Sequence, residues 1–255
     1  MINGITIKNF LEEKYYFYNK STFIEKDPVF IPHQYDTKED IEISGFLAAS
    51  LAWGQRKTII SKGLTLLKLM DNSPYEFLIN ATPAEMKHFK YFKHRTFNGS
   101  DCLYFMKALQ SICRKFGSIG TVFTSFYSEF DNIERTIIEF RNLFFSFDPP
   151  ERVLKHVAKI DNGSAGKRIN MFLRWMVRNE GPVDFGLWKS IPPAALYIPL
   201  DLHTGNVSRK LDLLKRKQND WKAVVELSSK LREFDSNDPV KYDYALFGLG
   251  IYERF

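Results

Sequence analysis

Cysteine is nearly missing from this chain: Cys102 and Cys113 are its only two. Two thiols cannot build a disulfide framework or supply the four thiolates of a zinc or iron–sulfur site, so both read as reduced core residues. Histidine is sparse as well, with five scattered residues and no paired-carboxylate motif beside them. That pattern argues against a metal-dependent nuclease, and no metal or other cofactor is expected. No apolar run reaches the thickness of a bilayer, and acidic Glu12 and Glu13 stand where a signal peptide would turn from basic to apolar. The expectation is a cytoplasmic protein with no membrane partner. Strict apolar/polar alternation, the main signal for strands, is almost absent, and there is no internal repeat, low-complexity tract or obvious linker.

What remains is a chain of 255 residues, 44% hydrophobic and 26% charged, which is long enough to bury a full core. Its 23 Phe and 12 Tyr predict a ring-rich interior. A net charge of +6 favours an anionic partner without proving one.

Helix signals recur throughout, and the class is all-α. Thr37 with Asp40 reads as a capping box opening a helix through Ile41, Phe46 and Leu51 that ends near Gly54. A second helix follows from about Lys57 to Met70. Ser73-Pro74 and Thr82-Pro83 start two short helices, Ser100 opens a longer one that Gly117 closes, and apolar residues from Ile133 to Phe145 fit another. Val153 to Ile160 looks helical, 162 to 166 is a tight turn, and helix resumes from Lys167 to Arg178. Three more helices are suggested over 202–214, 219–234 and 239–250, the last capped by Asp238 ahead of Pro239.

The helix after the turn carries an apolar stripe of Ile169, Phe172, Leu173 and Met176, with Lys167, Asn170, Arg174 and Arg178 on another face. Glycines before it let a phosphate come close, and the helix N-terminus offers free N–H groups and the positive end of its dipole. Such a turn grips a nucleic-acid backbone without reading bases. Downstream, Tyr197-Ile198-Pro199-Leu200-Asp201-Leu202-His203 sets a single carboxylate at the mouth of a helix, where Asp is also a favoured N-cap.

Together, Asn162-Gly163-Ser164-Ala165-Gly166-Lys167-Arg168-Ile169-Asn170 and Ile198-Pro199-Leu200-Asp201-Leu202-His203 resemble the helix-hairpin-helix DNA glycosylase superfamily. The resemblance is greatest to its 8-oxoguanine glycosylase/lyase branches, including the archaeal type. Ala165 stands where a second glycine is usual, and thirty-four positions separate Lys167 from Asp201, a span similar to the archaeal branch. The iron–sulfur cysteines of the endonuclease III branch are missing. The tract from Phe46 to Arg56 resembles the superfamily's early helix, followed by a polar residue that fills the gap left by an extruded base, a role open to Gln55 or Arg56.

The resemblance implies a two-lobed fold with a cleft between the lobes. Residues 43–191 would form one lobe ending in the hairpin, and 1–42 with 192–255 the other, with Lys167 and Asp201 meeting across the cleft. It also implies base-excision repair by a monomer on double-stranded DNA bearing a damaged base. The damaged nucleotide would be extruded into an aromatic pocket, with oxidised guanine the first substrate to consider. The neutral Lys167 amine would attack the sugar and form a Schiff base able to eliminate the 3′ phosphate, while ionised Asp201 stabilises positive charge on the sugar. Gly163, Ser164, Ala165, Gly166, Arg168, Arg174 and His203 would hold the DNA. Trp53, Trp175, Trp188 and Phe144-Phe145 read as core side chains that could instead line the pocket. The alternative is a non-catalytic module that binds DNA or structured RNA through the same hairpin.

Overall fold

In a computed structural model of the chain, residues 5–255 are described. Among them regular structure is helical throughout, with two isolated β-bridges and no strand, so the all-α class holds. Thirteen α-helices follow one another: α1 (Ile7–Tyr18), α2 (Ser21–Ile24), α3 (Lys38–Leu51), α4 (Arg56–Lys68), α5 (Pro74–Asn80), α6 (Pro83–Met86), α7 (Gly99–Phe116), α8 (Ile119–Phe130), α9 (Ile133–Phe144), α10 (Lys167–Val177), α11 (Leu202–Lys210), α12 (Trp221–Phe234) and α13 (Tyr242–Gly248). No helix among the described residues is long and apolar enough to cross a membrane.

Capping chemistry sets most of the starts. Thr37 accepts from the Asp40 N–H to open α3, and Thr82 with Glu85 forms a full capping box at α6. The α7 start lies just ahead of Ser100. Asn98 is the N-cap, its side chain accepting from the Ser100 and Asp101 N–H groups, and Gly117 ends the helix at φ +85°. Helix α8, which drew no expectation from the sequence, is opened by Ser118.

Two compact units result: Ile24–Ala158, and Lys159–Phe255 together with the N-terminal segment through Phe23. This division differs from the expected boundaries at 42 and 191. The turn and α10 belong with the chain's two ends, because the polar face of α10 is held by groups from those segments. In the 24–158 unit, rings pack as the composition predicts. Phe46 meets Phe105, Phe140 and Phe144 at centroid separations of 6.1, 5.5 and 5.4 Å, and Phe123 stacks on Phe140 at 4.2 Å. Each buried ring is worth roughly 1.5–3 kcal/mol of transfer free energy, and favourable pair geometry adds about 1 kcal/mol. Asp101, wholly buried, caps α7 through the Asn98 N–H and pairs with Arg152 at 2.6 Å and with His156 at 3.1 Å.

At the start of α7 a Cβ on Gly99 would stand 1.7 Å from the Lys90 carbonyl oxygen. A backbone atom cannot swing aside as a side chain can. Gly99→Ala should therefore destabilise the protein by about 3 kcal/mol, read as a fall in the urea midpoint with unchanged slope.

Candidate functional site

The turn ahead of α10 is built by two glycines. Gly163 adopts φ +86° and accepts the Trp221 N–H at 3.0 Å, while Ser164 bridges to Asp220, the N-cap of α12. Gly166 is the N-cap of α10 at φ +59°, and a Cβ there would also meet Ile160 Cγ2 at 2.8 Å, so glycine is demanded twice over. No side chain caps α10, although Ser164 Oγ accepts from the Gly166 N–H at 3.4 Å and Asn170 donates to the Ala165 carbonyl at 3.3 Å.

The arm before the turn departs from expectation. Over Val153 to Ile160 the chain forms 3₁₀ pieces, Glu151–His156 and Ile160–Asn162, separated by extended backbone at Val157 (φ −114°, ψ 122°). The stretch is short, and β-branched Val157 sits at its centre, so an α-helix has neither the length nor the propensity to persist.

Lys167 is the first residue of α10, half-buried, with Nζ 3.2 Å from Met171 Sδ one turn along. Arg168 beside it is half-buried, and loss of water lowers its pKa to about 10, which leaves it cationic at neutral pH. Asp201 caps α11, its Oδ1 accepting the Thr204 N–H at 3.0 Å; Oδ2 makes no hydrogen bond among the described residues. His203, two residues on, is exposed. Lys167 and Asp201 lie in one unit rather than in two lobes, and both act electrostatically on the same buried carboxylate, Asp243 in the first turn of α13.

Arg174 and Arg178 correct the idea of a basic face on α10. Arg174 is 3% exposed and Arg178 is 0% exposed, so Arg174 offers DNA no accessible cation. Arg174 pairs with Asp243 and reaches Asp184 at 3.3 Å. Arg178 binds Asp184 at 3.0 Å, Asp238 at 2.7 Å, the Glu180 carbonyl at 2.7 Å and the Tyr15 hydroxyl at 2.6 Å. Asp238 precedes Pro239 as expected, but its side chain serves Arg178 instead of capping the turn that follows. Two arginines thus face three buried carboxylates. Burial, which is the largest effect, and the excess of negative charge raise Asp243 to about 6 and also raise Asp238.

Asp184, Asp238 and Asp243 are the residues that sequence reasoning did not assemble. The signal was the i, i+4 pair of arginines on an otherwise apolar helix, which must find carboxylates if it is buried. Of the proposed pocket aromatics, Trp175, Trp188 and Phe144 are core side chains. Gln55, the exposed N-cap of α4, and half-buried Arg56 belong to the 24–158 unit. The Gly54 bend before them (φ +105°) lies against Arg95.

Over residues 27–252 the sequence matches the family described as Protein of unknown function (DUF2400). The chain belongs to that family. No curated protein and no solved structure matches it. The matched region takes in the turn, Lys167, Asp201 and the whole arginine–carboxylate cluster, so these are features of a member of the family rather than of an appended segment.

Removing one side of the cluster strands buried charge. Arg178→Leu should cost about 3–5 kcal/mol in a chemical denaturation series, and more than removal of an exposed arginine such as Arg135. Asp243 adds a pH effect. Its folded pKa of about 6 lies above the ordinary 3.8, so the folded state holds its proton more tightly, and the contribution of this group to stability falls as pH rises from about 4 towards 6 and then levels. Comparison of the native protein with Asp243→Asn across that window should show this fall lost in the variant.

Proposed function

We propose that this chain is a DNA glycosylase of the helix-hairpin-helix kind that releases a damaged base by attack of the Lys167 amine. The observation that carries the reading is the setting of Lys167. It opens a helix directly behind a two-glycine turn, in the same unit as Asp201, with both groups in the field of buried Asp243. A lone lysine at a helix start is commonplace. A lysine there, sharing with a capping carboxylate its influence on a second carboxylate that an arginine holds, is a set suited to forming and discharging a covalent amine adduct.

In this mechanism the deprotonated amine donates its electron pair to the sugar C1′. The bond to the base breaks, and the base leaves with that bond's electrons and takes up a proton that Nζ loses on bonding to C1′. The Asp201 carboxylate, whose Oδ1 is committed to the helix cap, stabilises the positive charge that grows on the sugar through its other oxygen. Ring opening gives an imine between Nζ and C1′, and loss of a C2′ proton then expels the 3′ phosphate. Damaged double-stranded DNA is the proposed substrate, and an oxidised purine the first lesion to try.

The test is reductive trapping. Duplex oligonucleotides with single damaged bases, or an abasic site, are incubated with the protein and borohydride, which would fix the imine as a stable amine. The native protein should give a covalent protein–DNA band that Lys167→Ala abolishes, and Asp201→Asn should slow its formation by about 100-fold or more. If duplex binding persists but no band or base release appears across a broad lesion panel, the non-catalytic binding module replaces this reading.

A further inference from the structure

The 24–158 unit bears a cationic strip that the proposed chemistry does not use. It begins with the 3₁₀ turn Lys87–Tyr91 and runs on to Arg95. Lys87, Lys90, Tyr91, Lys93 and Arg95 are exposed, whereas Phe89, Phe92 and His94 between them are buried and anchor the segment from beneath. Tyr91 is 76% exposed, the most open of the large apolar side chains among the described residues, and the Lys90 ammonium lies 4.7 Å from its ring centroid.

None of these four cations takes part in an ion pair among the described residues. Glu85, the acidic group facing His88, is turned back onto the Thr82 N–H and hydroxyl at 2.8 and 2.7 Å. The positive field extends beyond the segment. Arg95 and Lys62 of α4 both bear on buried His94, and the Arg95 guanidinium lies against the Gly54 bend, next to Gln55 and Arg56.

We propose that this strip is a nucleic-acid contact that holds a single strand, with the phosphodiester backbone along Lys87, Lys90, Lys93 and Arg95 and an unpaired base stacked on Tyr91. The inference rests on the nucleic-acid reading above and adds a second site to it. Residues three apart in a 3₁₀ turn eclipse one another, so Lys87 and Lys90 form a row with a repeat of about 6 Å. This pair, continued by Lys93 and Arg95 beyond the turn and with no ion-pair partner among the described residues, suits a polymer with closely spaced phosphates better than the scattered carboxylates of an acidic protein. A lone exposed tyrosine beside those cations supplies the aromatic platform on which bases stack. Burial of both neighbouring phenylalanines leaves no apolar face to enter a lipid surface.

Fluorescence anisotropy tests this with two labelled DNA oligonucleotides, a fully paired duplex and the same duplex with a short single-stranded gap, titrated over a range of salt. The native protein, the triple variant Lys87→Ala/Lys90→Ala/Lys93→Ala, and Tyr91→Ala are compared after melting curves confirm equal folding, which exposed positions should preserve. The triple variant should bind the gapped DNA at least about tenfold more weakly and reduce the slope of log affinity against log salt by about 2–3. Tyr91→Ala should weaken gapped DNA by about tenfold and leave the paired duplex within about twofold, with Tyr91→Phe restoring the native value. Unchanged affinity and slope in the triple variant, with native binding intact, would overturn the strip while leaving the Lys167 reading untouched. A native protein that binds neither DNA at low salt, and gives no trapped band, would overturn both.

Discussion

The arrangement of the C-terminal unit hangs on a buried ionic cluster. Two arginines four residues apart, Arg174 in α10 and Arg178 at its C-cap, are removed from water and held by three carboxylates and a tyrosine hydroxyl. Taking such charges out of water costs several kcal/mol per ion, and the cost is offset only when every group finds its partners in good geometry. The partners come from separate parts of the sequence: Tyr15 on α1, Asp184 after α10, Asp238 before α13 and Asp243 within it. Correct docking of all these segments is thus a condition for solvating any one arginine with protein groups, and a near miss leaves bare charge.

This constraint reaches the candidate site through a single helix. Lys167 begins the same α10 whose middle and end carry Arg174 and Arg178, so the cluster fixes the axis on which the amine stands. At the other end of that axis the turn is fixed by Gly166, which has no room for a side chain, and by backbone pairing of Gly163 and Ser164 with the start of α12. Asp243 belongs both to the cluster, through Arg174, and to the site, through the fields of Lys167 and Asp201. A change in charge at the amine is therefore felt by the group that helps to hold the helix, which links the candidate site to the stability of α10.

The 24–158 unit is organised differently. Its centre is a set of phenylalanines in edge and stacked contact, with charge confined to isolated devices such as Asp101 and Glu42, which cap helices from buried positions. The close packing of those rings makes a small change in volume felt, and close backbone approaches such as Gly99 against Lys90 leave no room for an added methyl group.

By itself the sequence determined the helical class, most helix starts, the ring-rich interior, and the turn that delivers Lys167. These follow from local chemistry: hydroxyl and carboxylate caps, glycine at positive φ, and apolar periodicity, all acting within a few residues. Arg174 and Arg178 had the spacing of a solvent-facing charged stripe, and nothing local distinguishes such a stripe from one destined for burial. Only the tertiary structure decided that, because their carboxylates arrive from up to 69 positions away. The same holds for the failed helix before the turn, and for the assignment of α10 to the unit made by the chain's two ends. Where a segment's partners lie close in sequence, its conformation can be read from it; where a charge must be satisfied by groups brought together only on folding, the fold chooses.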